Sequence, residues 1–265
     1  MIPTIPTIKD RRRTCIQQAS WNAESTAYFA ALGTNGVTVL LAQRNGFNTF
    51  ITAGKNGGWL SKIQRLYLPV WGAAAPNALN ALSPGSSGTW VGTLSYAGSQ
   101  VQSTGGNGYF ATGFNASGYA PAEVGLFAVA PTIDPAGVLI GARNTNDLLL
   151  DNYSSRSGWV VGAPASATFL GYSGMHIRLG YGTGSVTKIA RLAPGGSALT
   201  IENSYTPTGS VPNAEVYAMA FNFGGPALYN VQPFYGFGVI GGALTDAQAS
   251  SFAVALDRLI TALRA

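Results

Sequence analysis

The ten carboxylate residues of this 265-residue chain are the first candidates for catalysis. A retaining glycosidase holds two carboxyl groups about 5–5.5 Å apart, and two acids on alternate residues of one strand would share a face. The acids are Asp10, Glu24, Glu123, Asp134, Asp147, Asp151, Glu202, Glu215, Asp246 and Asp257. No two of them are separated by two residues, although carboxylates from different strands could still meet. The spacing argues against a glycosidase, and we expect no enzymatic activity.

Other catalytic and cofactor-binding patterns are equally weak. His176 is the single histidine, which excludes a two-histidine metal site within one chain, and no Gly-x-Ser-x-Gly elbow supports a nucleophile. The polar run 144–152 offers oxygen ligands for Ca²⁺, but we interpret it as a turn between strands. The glycine-rich segment 180–184 lacks the Lys-Ser/Thr of a phosphate-binding loop. We therefore expect no catalytic residue, no metal site and no cofactor.

Aromatic side chains near predicted turns could form a stacking platform for sugar rings. Most aromatics on alternating strands belong to the core, so the candidates are those close to strand ends. They are Tyr119, Tyr153, Trp159, Tyr172 and Tyr181. These five residues are our predicted glycan contacts.

The N-terminal segment combines an extended apolar pattern with clustered charge. Prolines between Ile2, Ile5 and Ile8 disfavour helix. Lys9, Arg11, Arg12 and Arg13 then follow within five positions. Such a cluster could touch nucleic acid or an acidic partner, but no basic stripe with interleaved aromatics follows, so nucleic acid binding is disfavoured. We predict a docking arm for other proteins.

The composition describes a folded protein with few charges. Hydrophobic residues make up 46% of the chain and charged residues 9%, with a net charge of +5. Such a surface suits a protein packed among neighbours, as a homo-oligomer or in a multi-copy assembly, although a soluble protein with an uncharged surface is the alternative. Cys15 is alone, so no disulfide framework exists. The sequence contains neither a signal peptide pattern nor a run long enough to cross a membrane.

Periodicity predicts a mainly β protein with helices near both ends. Short alternating segments follow one another between turn residues, which is typical of an antiparallel sandwich. The predicted strands are Trp90–Tyr96, Val124–Ala130, Val138–Ala142, Asp147–Tyr153, Gly158–Val161, Met175–Tyr181, Val186–Leu192, Val216–Phe223 and Phe234–Ile240. A strand-like segment also spans Ser61–Trp71, before a loop or short helix over 72–88.

The predicted helices differ in clarity. Ala23–Leu32 favours a short helix capped by Asn22, and Thr38–Ala53 suits a helix interrupted near Gly46. The last helix, over 245–264, has one apolar stripe and a capping box between Thr245 and Gln248. These signals divide the chain into an arm (1–20), a helical or mixed segment (21–88) and a sandwich (89–265).

Three segments together resemble a known family. Phe47–Leu68 looks like a helix-then-strand entry, Asn107–Ser117 looks like a lead into a jelly roll, and Gly238–Gln248 is similar to a closing strand and helix start. In this combination the chain resembles bacteriophage and prophage virion proteins with a concanavalin A-like (laminin-G-like) jelly-roll domain. The resemblance covers about Phe47 to Ala265 and contains no catalytic group.

The resemblance implies both a fold and a role. The fold would be a concanavalin A-like β-sandwich (jelly roll) with short N-terminal helices and one C-terminal amphipathic helix. The role would be that of a non-enzymatic virion structural protein: a tail or fibre component with host surface glycan as a candidate ligand. It would be assembled in the host cytoplasm and held to other virion proteins by its arm. A capsid decoration or head-fibre protein is the alternative, and a carbohydrate-active enzyme or a lectin is less favoured.

Overall fold

The chain folds into two large β-sheets, a small two-stranded sheet and a layer of helices. The computed structural model describes residues 21–132, 138–144, 147–153, 156–157, 173–227 and 231–265, with the backbone alone at 132, 151–153, 156–157, 173–176 and 227. The helices are α1 (Ala23–Thr34), α2 (Leu41–Gly57), α3 (Ala74–Asn77) and α4 (Asp246–Arg264), and a 3-10 turn spans Leu60–Lys62. The strands are β1 (Ile63–Tyr67), β2 (Thr89–Val91), β3 (Leu94–Ser95), β4 (Gln102–Ser103), β5 (Tyr109–Asn115), β6 (Val124–Thr132), β7 (Val138–Arg143), β8 (Asp147–Tyr153), β9 (Arg156–Ser157), β10 (Ser173–Gly182), β11 (Thr187–Leu192), β12 (Thr200–Tyr205), β13 (Glu215–Ala218), β14 (Phe221–Phe223), β15 (Pro226–Ala227) and β16 (Gly236–Gly241).

Most strands belong to one of two facing sheets. Sheet A has six strands in the order β1-β16-β6-β10-β11-β12. Sheet B has eight, with the path β15-β14-β7-β13-β5-β2 and with β8 and β9 joined to it through β7. The pairing is antiparallel throughout the described strands except between β14 and β7. The predicted mainly β sandwich of jelly-roll type is confirmed.

Sheet A is covered on both faces, and its strands show this in their alternation. Leu126 and Ala128 of β6 join the core that lies between the two sheets. Phe127 and Val129, on the opposite face, join a second core formed with the helices. Phe252 of α4 packs edge-on to Phe127, with ring centroids 5.0 Å apart. The sandwich therefore has three layers: helices, sheet A and sheet B.

The C-terminal helix begins as predicted. The backbone N–H of Gln248 donates to the Thr245 hydroxyl, and the Gln248 side chain accepts from the Thr245 backbone N–H, both at 3.2 Å. Gln248 also accepts from Lys62 at 2.9 Å and donates to the Gly57 carbonyl at 3.2 Å. The capping box therefore also ties α4 to the end of α2 and to the start of β1.

Several local predictions need correction. α2 runs through Gly46 without interruption. The glycine serves packing instead: a Cβ there would lie 2.7 Å from that of Ala262, so the missing side chain lets α4 approach closely. Asn22 stands at the N-cap position of α1, as predicted, but its side chain does not cap the helix; its amide instead donates to the Asn48 side chain at 2.9 Å.

Two predicted strands are split in the structure, and a third lies outside the described residues. Trp90–Tyr96 is divided between β2 and β3. Val216–Phe223 is divided into β13 and β14 at Met219, whose φ of 63° belongs to the left-handed region and breaks the strand. Gly158–Val161 is outside the described residues. The strands β5 and β12 have no counterpart in the prediction. β1, which precedes the predicted domain boundary at residue 89, pairs with β16 in sheet A.

A glycine in β16 makes the pairing of β1 and β16 possible. A Cβ at Gly238 would overlap the Arg65 carbonyl and lie 2.5 Å from the Phe127 ring. Gly238→Ala should therefore lower the free energy of unfolding by about 1–3 kcal/mol, as overpacking does in tight cores. Gly85→Ala is the matched control, since no atom lies within 4 Å of a Cβ added there. Urea unfolding of both variants measures the difference, and equal stabilities would contradict the close approach.

Two carboxylates of α4, Asp257 and Asp246, should make opposite contributions to the pH dependence of stability. Burial raises the pKa of Asp257, against the opposing effects of the Gly195 N–H and of Arg258. Hydrogen bonds from Lys188 and Tyr181 lower the pKa of Asp246. A raised folded-state pKa gives stability at low pH that is lost as pH rises through that pKa; a lowered one gives stability at neutral pH that is lost on acidification.

Asp257→Asn should therefore stabilise the protein at pH 7 and have less effect near pH 3, where both states are protonated. Asp246→Asn should destabilise the protein at pH 7 and lose its effect on acidification. Thermal unfolding from pH 3 to pH 7 measures both effects. Shifts of the same sign at pH 7 would contradict the assigned environments.

Candidate functional site

Most residues of the predicted site lie outside the described part of the chain. The arm residues Ile2, Ile5, Ile8, Lys9, Arg11, Arg12 and Arg13 precede residue 21, and Trp159 and Tyr172 lie within 158–172. Tyr153 ends β8, but its side chain is not described, nor is that of His176 in β10. These assignments stay predictions from sequence.

Tyr181 is not a glycan contact. Its side chain is fully buried in the core between sheet A and the helices. The hydroxyl donates to Asp246 at 2.8 Å, and burial, with the adjacent Asp246 carboxylate, raises the pKa of Tyr181. Its position near a turn suggested exposure, but α4 covers that end of β10.

Tyr119 is half-buried, and its ring contributes to packing. The ring lies 5.8 Å from that of Phe114. It also lies against Gly241, where an added Cβ would come within 2.6 Å of the Tyr119 ring. Much of the aromatic surface that could stack on a sugar is therefore used within the protein, and a glycan contact at Tyr119 stays a prediction.

One carboxylate of the polar run 144–152, that of Asp147, forms an ion pair. Arg143 Nε and Asp147 Oδ1 are 2.9 Å apart, so the carboxylate already has a cationic partner. Among the described residues no group of three or more His, Cys, Asp or Glu side chains could hold a metal ion.

An aromatic pair that the sequence reasoning missed lies on the outer face of sheet B. Tyr109 of β5 and Tyr217 of β13 have ring centroids 4.7 Å apart at an interplanar angle of 35°. Both side chains are partly exposed. Alternation explains why they point outward: their neighbours Phe110, Val216 and Ala218 are buried against sheet A.

Polar groups flank this aromatic pair on the same face. Glu215 shares the outward face of β13, and its Oε1 accepts from the Gly113 backbone N–H at 2.6 Å. The Asn115 amide donates to the Asn213 side chain at 2.8 Å. Burial raises the pKa of Tyr217, and the neighbouring Tyr109 and Glu215 act in the same direction. The result is a neutral aromatic surface edged by hydrogen-bonding groups.

A signal for this pair was present in the alternation of β13. Tyr217 alternates with the small apolar residues Val216 and Ala218, which suit the inside of a sandwich. The prediction of one uninterrupted strand over Val216–Phe223 did not separate Tyr217 from the residues that follow Met219.

A cavity lies on the helix side of the protein. It has a volume of about 420 Å³ and lies between α1, α2 and the start of β1, with Glu24, Lys55, Leu60 and Leu82 among its lining residues. Lys55 and Glu24 form an ion pair at 2.8 Å across its rim. This pair joins α1 to α2, so the polar groups at the rim have a structural role.

The comparisons with known proteins find a likeness of fold only. No protein-family model matches the chain, and no curated protein matches it. Domain 4 of AbnA, a GH43 extracellular arabinanase from Geobacillus stearothermophilus solved with arabinotriose, has a TM-score of 0.46 at 13% identity over 72% of this chain and 98% of that one.

Two further solved structures are similar at the same level. Trypanosoma rangeli sialidase has a TM-score of 0.45 at 11% identity, over 82% of this chain but only 39% of the sialidase. The exoplasmic/lumenal domain of VIP36 in its Ca²⁺-bound form has a TM-score of 0.40 at 7% identity, over 71% of this chain and 96% of that one. These likenesses concern the β-sandwich alone, and fold does not decide between catalysis and binding.

These findings correct the functional prediction. The similar structures are glycoside hydrolases and a lectin, not components of a phage particle. The virion structural role, whether in a tail, a fibre or a capsid decoration, is therefore wrong by this comparison. The family resemblance, the partners and the localisation stay predictions. In the described part of the chain, no helix has the length and apolar character to cross a membrane.

The outer-face arrangement predicts that the charge of Glu215 affects the pKa of Tyr217. Because a negative charge disfavours ionisation of a nearby phenol, Glu215→Gln should lower the pKa of Tyr217, although burial should still keep it above that of free tyrosine. Tyrosine ¹³Cζ chemical shifts followed against pH measure this change. Glu24→Gln on α1 is the control and should leave Tyr217 unaffected; an equal response to both variants would contradict the proximity of Glu215.

Proposed function

We propose that this protein is a carbohydrate-binding β-sandwich and that the outer face of sheet B, around Tyr109 and Tyr217, is its binding surface. The observation that supports the proposal is the partly exposed aromatic pair with rings 4.7 Å apart. Tyrosine presents a large apolar ring together with a polar hydroxyl, at the cost of ordering only two side-chain torsions. Such a surface suits a sugar ring, which has an apolar face and a polar edge.

The flanking groups fit the same role. The Asn115–Asn213 pair and Glu215 lie beside the rings and offer amide and carboxylate groups to sugar hydroxyls. Tyr109, Tyr217 and Glu215 are held on adjacent strands of one sheet, so they need little reordering on binding, which limits the entropic cost of association.

The proposed activity is binding of carbohydrate without cleavage. Hydrolysis of a glycosidic bond requires two carboxyl groups placed on either side of the scissile bond. Of the carboxylates described on this face, Asp147 is paired with Arg143, and Glu215 accepts a backbone N–H. Both have structural partners, so we assign neither a catalytic role.

Binding to a panel of neutral oligosaccharides tests the proposal. Arabinotriose and mannobiose are suitable probes, with xylo- and cello-oligosaccharides of up to six units, and calorimetry measures the affinity. Tyr217→Ala should weaken binding at least tenfold, or about 1.4 kcal/mol, because truncation of a central aromatic typically costs more than 1 kcal/mol.

The controls separate stacking from stability and from catalysis. Tyr205→Ala removes a partly exposed tyrosine from sheet A and should leave the affinity unchanged. The wild-type protein should release no reducing ends from the same oligosaccharides. Unaltered affinity in Tyr217→Ala, or absence of binding to every probe, would refute the proposal.

A further inference from the structure

Glu215 places a carboxylate beside the tyrosine pair on the outer face of sheet B. It alternates with buried Val216 and so shares the outward face of β13 with Tyr217. Two residues of a strand span about 7 Å at ~3.4 Å per residue, which is comparable with the width of a single sugar ring. One sugar unit can therefore lie on Tyr217 and direct a substituent to Glu215.

One oxygen of the Glu215 carboxylate is free to bind a ligand. The other, Oε1, accepts from the Gly113 backbone N–H at 2.6 Å, and this bond holds the side chain against β5. Oε2 has no hydrogen-bond partner among the described residues, and the residue is partly exposed. A carboxylate that is already oriented loses little freedom when a ligand binds, which limits the entropic cost of association.

No basic side chain neutralises this carboxylate within the described part of the chain. None of the described ion pairs includes Glu215. The residues beside it are neutral: Asn115 is its partner on β5, and Asn213 lies two residues before it and hydrogen-bonds to Asn115. Arg143, on the neighbouring strand β7, is paired with Asp147 at 2.9 Å. Glu215 therefore carries an uncompensated negative charge.

The charge of Glu215 extends to the tyrosine pair. The pKa of Tyr217 is raised by burial, by Tyr109 and by Glu215, so the phenol stays neutral beside the carboxylate. Tyrosine rings attract a cation that lies within ~6 Å of the ring centre. Two tyrosine rings and one open carboxylate together form a surface that attracts positive charge and repels negative charge.

The positive net charge of the chain opposes this local attraction only weakly. The net charge is +5, but interactions between exposed charges are largely screened beyond about 8 Å at physiological ionic strength. A group that contacts Glu215 is well within that distance, so the carboxylate dominates the electrostatic part of its binding.

We propose that the surface around Tyr109 and Tyr217 prefers a saccharide that carries a protonated amino group, and that Glu215 binds this ammonium group through Oε2. The inference rests on the proposed carbohydrate binding and adds the charge of the ligand and the residue that selects it. A sugar hydroxyl can also donate to Oε2, but an ammonium group adds the attraction of opposite charges to the hydrogen bond. A carboxylated or sulfated sugar would instead be repelled by Glu215.

Three trisaccharides that differ in the group on carbon 2 of each unit test this inference. Cellotriose carries a hydroxyl there, the β-1,4-linked glucosamine trimer carries an ammonium group, and the N-acetylated trimer carries a neutral amide. Calorimetry in a mildly acidic buffer, in which the amino groups are charged, measures the affinities. The wild-type protein should bind the glucosamine trimer about tenfold more tightly than cellotriose, and N-acetylation should abolish this preference.

Two variants that each remove one negative charge assign the preference to Glu215. Glu215→Gln keeps an oxygen that can accept from the Gly113 N–H but removes the charge, so the glucosamine trimer and cellotriose should bind it with affinities equal to within about twofold. Glu24→Gln makes the same change in net charge on α1 and should retain the preference. Tyr217→Ala should weaken the binding of both trimers.

The remaining outcomes separate selection by charge from carbohydrate binding. Equal affinity of the wild-type protein for the glucosamine trimer and cellotriose, weakened in Tyr217→Ala, would overturn selection by charge and leave carbohydrate binding in place. A preference that persists in Glu215→Gln would overturn the role of that residue. Binding of trilysine as tight as that of the glucosamine trimer would overturn the saccharide as the preferred ligand. Absence of binding to every trimer would overturn both proposals. Far-UV circular dichroism and thermal unfolding check that each variant is folded.

Discussion

Burial of sheet A on both faces is the constraint on which the rest of the structure depends. Its central strands supply alternate residues to two cores, one shared with sheet B and one shared with the helices. Neither face of those strands is free for a ligand. Sheet B, by contrast, has the core between the sheets on one side, and its other side carries partly exposed tyrosines as well as the small buried cluster of Val138, Leu149 and Phe221. The proposed carbohydrate-binding surface, around Tyr109 and Tyr217, therefore lies on the outer face of sheet B.

The helical layer makes this division possible. α4 supplies a continuous apolar stripe, and α2 packs close to it because Gly46 has no side chain to separate them. Tyr181 illustrates the consequence for polar groups on sheet A, since its hydroxyl is satisfied within the protein by Asp246 of α4. Side chains on the helix face of sheet A thus serve the packing of the layers.

The parts of this architecture that could be predicted from the sequence are those set by residues close together in the chain. The capping box of Thr245 and Gln248 depends on residues three apart, so it was predictable. The split at Met219 depends on a left-handed backbone conformation at a residue type that rarely adopts it, and no local pattern indicates it. The same limit applies to the site. In β5, Tyr109 and Phe110 are both aromatic, and only the position of the opposing sheet decides which of them is buried.

The pairing of β1 with β16 has a consequence for how the protein folds. Ile63 pairs with Ile240, so this ladder closes a loop that contains every other described strand, from β2 to β15. Closing such a loop has an entropic cost before its contacts can repay it, and topologies dominated by distant contacts fold slowly. Until that ladder forms, the central strands of sheet A have an unpaired edge, which is a template for pairing with another chain. Refolding of this protein should therefore be sensitive to its concentration.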